Sequence, residues 1–187
     1  MRRRRFIEVA VVSVAWAQAS AHTPYRQWAV YRRKHLLILT SKTDAPTFPL
    51  GEQVAKVLAA HLPASKARVA RAPHTKRIAS LISSKQMDVA ILSLGDAAEL
   101  MAGRAPFADY GPVALRTIVG LGNYLLICRD DFPAYHAYLM AATLAANKDE
   151  FPVPVREGRG AVVPVHPGAR AYFEGRPPPD PPKEVSQ

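Results

Sequence analysis

The chain is short of several things that would assign a chemistry. It holds one cysteine, Cys128, which excludes an intramolecular disulfide framework, a cysteine-based zinc finger and an iron–sulfur cluster. Its histidines (His22, His35, His61, His74, His136 and His166) show no i,i+4 or His-x-His pair, and the carboxylates show no matching spacing, so metal ligation is disfavoured. G-x-S-x-G elbow, P-loop and strand-following G-x-G-x-x-G are all missing. Gly120-Leu121-Gly122 lies between two strand-like runs and reads as a turn. No acid pair has surroundings that would split two carboxyl pKa values. The expectation is therefore a protein without catalytic residues, cofactor or metal. Nor is there an apolar run of ~20 residues, the length a membrane-spanning helix needs.

What the chain has in excess is positive charge, 25 Lys+Arg against 15 Asp+Glu in 187 residues. Eight of those bases fall in the first 34 residues, where Glu8 alone opposes them, leaving 17 against 14 elsewhere. Nucleic-acid binding would want a basic stripe across a folded face with aromatics for stacking. The distribution does not supply one. Arg2–Arg5, the apolar run Val9–Ala17 and the small residues Ala19, Ser20 and Ala21 instead match a secretory signal with cleavage after Ala21. An uncleaved anchor on the membrane surface and an ordinary amphipathic first helix are the alternatives. Residues 1–21 are thus expected to be a signal peptide or anchor, which places the protein in the periplasm or on the outer face of the inner membrane. Residues 22–34, with Tyr25, Trp28 and Tyr31 among basic side chains, form a lead-in.

From His35 the pattern becomes that of an α/β fold. Leu36–Thr40 is continuously apolar, as for a strand buried on both faces of a parallel sheet. Ser41–Gly51 reads as a loop, and Glu52–His61 as a helix stopped by Pro63. The unit recurs as strand Ala67–Ala70, turn, helix Lys76–Ser84, and again as strand Met87–Leu92, turn, helix Ala97–Ala102. Two strand-like runs, Leu115–Val119 and Tyr124–Cys128, a helix over Phe132–Asn147 and a short final helix with Tyr172 and Phe173 follow. Three strand–loop–helix units imply a parallel sheet, mixed at its edge and sandwiched by helices, over residues 35–175. Residues 176–187, with Pro-Pro-Pro-Asp-Pro-Pro, form an extended, disordered tail.

In such folds ligands sit beyond the carboxyl ends of the strands, where helix amino termini point outward. The three strand-to-helix loops then supply Ser41, Lys42, Thr43, Thr47, Arg71, His74, Thr75 and Ser93 as the candidate ligand-binding set. Hydroxyls, cations and helix starts suit a small anionic, carboxylate-type solute. The plainer reading makes them turn and cap residues, with Thr75 and Asp96 as N-caps. Cys128, inside Leu125-Leu126-Ile127-Cys128, reads as a core residue, and His166, between Pro164 and Pro167, as a turn-fixing histidine.

Three passages carry a resemblance to a known family. Thr47-Phe48-Pro49-Leu50-Gly51 is similar to a Y-P-L-G motif at a helix start. Ile78–Ile91, ending Ser-Lys-Gln-Met-Asp-Val-Ala-Ile, is similar to an L-x-x-G-x-x-D-x-A-I block. Val163-Pro-Val-His-Pro-Gly-Ala-Arg-Ala-Tyr-Phe resembles a P-x-H-P-G-A-x-x-Y-Y segment. Together they resemble the TAXI-type solute receptors of TRAP transporters. The resemblance implies a type II periplasmic-binding-protein-like fold, a role in solute uptake or sensing, and TRAP membrane subunits, or another lobe or protomer, as partners. Family receptors close two lobes on the ligand. Here the chain passes from Arg129 almost directly to the late helix, so a single lobe is expected. The family's glycine-rich first loop is replaced by Ser41–Pro46. A protein-interaction module that has lost solute capture is the alternative reading.

Overall fold

The computed structural model describes residues 35–158 and 162–182. The expected export segment, the lead-in 22–34 and the last residues, 183–187, lie outside them. Among the described residues six strands form one sheet: β1 (Leu37–Ser41), β2 (Arg68–Ala72), β3 (Val89–Ser93), β4 (Leu115–Leu121), β5 (Tyr124–Arg129) and β6 (Val155–Arg156), in the order β2-β1-β3-β5-β4-β6. β1 pairs in parallel with β2 and with β3, while the β3–β5, β5–β4 and β4–β6 pairs are antiparallel. The antiparallel character therefore covers half the sheet rather than an edge. Part of the cause is local: the chain turns tightly at Gly122, whose φ is +60°, a backbone conformation glycine adopts without strain, so β4 and β5 form a hairpin, and β5 pairs with β3 in a non-sequential antiparallel ladder.

Among the described residues five helices cover the sheet: α1 (Thr47–His61), α2 (Thr75–Ser83), α3 (Leu94–Ala102), α4 (Ala134–Ala146) and α5 (Pro167–Phe173). Consecutive residues of a strand point to opposite faces, which explains why the apolar runs are unbroken. Ile38, Val89, Ile91, Leu126 and Cys128 pack in one layer with α1, α4 and α5. Their neighbours Leu39, Ala90, Leu92, Leu125 and Ile127 pack in the other with α2 and α3. Among the described residues no helix is long and apolar enough to cross a membrane.

Two helix starts differ by three residues or more from the sequence expectation, while α2 and α4 start within two residues of it. α1 begins at Thr47, not Glu52, although Pro49 lies inside it. A proline in the first turn removes no intrahelical bond, because the N–H there has no partner to lose. α3 begins at Leu94 rather than Ala97. The loop after β1 is thereby cut to residues 42–46. The described part of the tail, residues 176–182, has no helix or strand.

Candidate functional site

The strand order 2-1-3 reverses direction at β1, and its connecting helices lie on opposite faces: α1 in one layer, α2 in the other. Such a switch point opens a crevice beyond the carboxyl ends of the strands. The register aligns those ends, with Ser41 beside Ala72 of β2 and Leu39 beside Ala90 of β3. All three loops therefore open on one edge of the sheet.

Hydrogen bonds hold the edge together. Thr47 Oγ1 accepts the Ser41 N–H at 3.0 Å and donates to the Asp44 carbonyl at 2.7 Å. Its side chain is 1% exposed, so Thr47 ties β1 to the start of α1 and is closed to a ligand. Ser41, equally buried, accepts at Oγ from the Thr43 N–H (3.2 Å) and from the Thr75 hydroxyl (3.5 Å). Both its lone pairs are then used, and its own proton goes to Thr43 Oγ1 at 2.9 Å. That leaves Thr43, exposed, as the hydroxyl of this cluster with a proton to give.

Around the cluster stand the cations. Lys42 is exposed, with its backbone N–H bonded to the Ala72 carbonyl at 2.9 Å. Arg71, also exposed, lays its guanidinium carbon 4.4 Å from the Phe48 ring centroid. This cation–π contact keeps the fork of donors at the surface. His74 N-caps α2, its Nδ1 accepting the Arg77 N–H at 3.1 Å. In the neutral ring the remaining proton sits on Nε2.

The caps correct the expectation that Thr75 and Asp96 fill this role. His74 and Ser93 have the extended backbone that an N-cap requires, and Thr75 and Asp96 already belong to the helices. Ser93 Oγ accepts the Asp96 N–H at 3.1 Å. Ser93 also faces a different environment from the other seven residues. It pairs with Tyr124 of β5, and the Tyr124 hydroxyl donates to Asp44 Oδ1 at 2.9 Å. Burial raises the Asp96 carboxyl above its ordinary value; the Ser93 hydrogen bond opposes this and the nearby Asp44 adds to it. The Tyr124 phenol is likewise pushed up, by burial first and then by Asp44. The edge is thus divided, basic and hydroxyl-rich over β1 and β2, acidic over β3 and β5.

Asp44 and Tyr124 were not part of the sequence-derived set. Asp44 is visible in the sequence as a turn residue, but its partner depends on β5 lying beside β3, which no local pattern encodes. Elsewhere, Cys128 is fully buried, and burial pushes its thiol far above the ordinary range, so it is a core residue. No metal-binding group of three or more His, Cys, Asp or Glu occurs among the described residues.

Compared with known proteins, the chain matches no family model and no curated protein sequence.

Proposed function

We propose that the chain is an extracytoplasmic solute-binding protein akin to TAXI receptors, recognising a small carboxylate-bearing solute at the edge where β1, β2 and β3 end. The observation that carries this reading is the hydrogen-bonded convergence of Ser41, Thr43, Thr47 and Thr75 beside Lys42 and Arg71. Thr43 Oγ1–H, His74 Nε2–H and the two cations are donors facing outward, the complement of a carboxylate. Asp44 and Asp96 on the far side favour an ammonium, so an amino acid fits the divided edge better than a dicarboxylate. On this reading residues 1–21 direct export, and TRAP membrane subunits, or a second lobe or protomer, complete the half-open site.

The exposed large hydrophobics among the described residues are Leu94 and Val162, and two scattered side chains are no docking patch. The interaction-module alternative gains no support from them. Calorimetric titration with amino acids and dicarboxylates tests the proposal. Millimolar or tighter binding is expected, weakened about tenfold by Arg71→Ala, which removes a charge-assisted contact. Absence of binding by any of them at millimolar concentration overturns it.

A further inference from the structure

At the opposite end of the sheet lies a cavity of about 650 Å³, within the size range of small-molecule sites. His35 and Leu36, just before β1, Asp88, before β3, and Asp131–Pro133, after β5, bring chain ends from three neighbouring strands to its walls. α4 closes one side with Tyr135, His136, Leu139 and Met140. Leu36, Leu62, Phe132, Leu139 and Met140 make the interior apolar.

Among the described residues that line the cavity, Asp88 and Asp131 alone carry a formal charge. Arg129 holds both carboxylates from behind. Its Nη1 lies 3.1 Å from Asp88 Oδ1, and its Nε donates to Asp131 Oδ1 at 2.8 Å. The guanidinium side chain is 13% exposed, whereas the Asp88 and Asp131 side chains are 56% and 44% exposed. Lys85 reaches Asp131 at 3.4 Å from outside. An apolar chamber thus ends in a carboxylate edge oriented by a half-buried arginine.

We propose that this cavity binds a small hydrophobic amine, its aromatic or aliphatic body against Phe132 and Leu139 and its ammonium on Asp88 and Asp131. Shape and burial favour the body. The exposed carboxylate oxygens select the head group, because the described lining offers acceptors and no cation there, Arg129 lying behind them and Lys85 outside. The site is separate from the Arg71 edge and stands or falls independently of the solute reading.

The full chain is titrated calorimetrically with phenethylamine, 2-phenylethanol and 3-phenylpropionate, which share a body and differ in charge. Phenethylamine is expected to bind with a Kd of about 1 mM, about tenfold tighter than the alcohol and more still than the acid. Asp88→Asn, at an exposed position that leaves the fold intact, should cost the amine about fivefold and leave the alcohol unchanged. Leu139→Glu should weaken the alcohol, and Arg71→Ala should alter none of the three. Equal affinities across the series overturn the proposal, as does loss of amine binding in Arg71→Ala. So does the absence of binding at about 10 mM, whether the chain's own amino-terminal residues or a second copy fills the cavity.

Discussion

His166 shows how one side chain can join two elements. Its Nδ1 accepts the Gly168 N–H at 3.1 Å, capping α5, and its Nε2 donates to the Phe132 carbonyl at 2.9 Å ahead of α4. The ring is 2% exposed, and both bonds require the neutral tautomer protonated on Nε2. Burial holds its pKa below 6.5; the bond to Phe132 opposes that shift, Arg116 adds to it and Asp130 opposes it. A histidine depressed in the fold stabilises fully above its unfolded pKa of about 6.5. That contribution is lost as the pH falls from there through the folded value, since the unfolded chain takes up the proton first. His166→Gln keeps a donor toward Phe132 but loses the cap, at a cost of about 1 kcal/mol near pH 7. Urea unfolding should show the gap between wild type and variant narrowing from pH 7 to pH 5. A constant or widening gap would mean that the imidazole is charged in the native state.

The packing of α5 on α4 explains the rest of the His-Pro-Gly segment. Pro167 occupies the first helical position, where its missing N–H costs nothing. A methyl group on Gly168 would run into the Ala134 carbonyl, which is backbone and cannot swing aside. Gly168→Ala should therefore lower stability by about 3 kcal/mol. Gly95→Ala in α3, where a methyl meets nothing within 4 Å, should raise it by about 0.5–1 kcal/mol. Thermal melts of the two variants separate these effects. Gly51 repeats the logic on α1, its absent side chain making room for Thr40 Cγ2 at 2.5 Å. Two of the three passages on which the proposed TAXI kinship rests thus contain packing devices, which keeps them from identifying a ligand. The central strands could be read because their inner residues, Ile38 and Leu39, Val89–Leu92 and Leu125–Cys128, are apolar and buried without a break. The same feature hid their pairing: with both faces covered, no alternation marks register or direction. β6, two residues long, left no pattern at all. The start of α1 was misplaced because Pro46 and Pro49 read as turn residues when they stand at the cap and in the first turn, and that of α3 because Gly95 and Asp96 read as a turn when they lie in its first turn. The hydroxyl cluster followed from topology alone, whereas the Asp44–Tyr124 bond needed the non-sequential β3–β5 pair.

The two apolar layers share a single set of strands, and that determines how the fold should come apart. Each of β1, β3 and β5 contributes alternate side chains to both layers, so opening one strand exposes both cores at once. The edges are different. β2 carries exposed Arg68 and Arg71 and pairs with β1 alone, and β6 meets β4 through Val155 and Arg156 only. Charged and short edges resist pairing with other chains but add little to the core. Native-state hydrogen exchange should therefore find the amides of Ile38–Thr40, Val89–Leu92 and Leu125–Cys128 opening together, at the free energy and urea dependence of global unfolding. β2 and β6 should exchange through smaller openings at lower free energy. The helices test the point most directly. If α1 and α4 exchanged as a unit at a free energy clearly below that of α2 and α3, the layers would be independent. The sheet would then be a partition between two cores rather than the shared wall that makes them one cooperative unit.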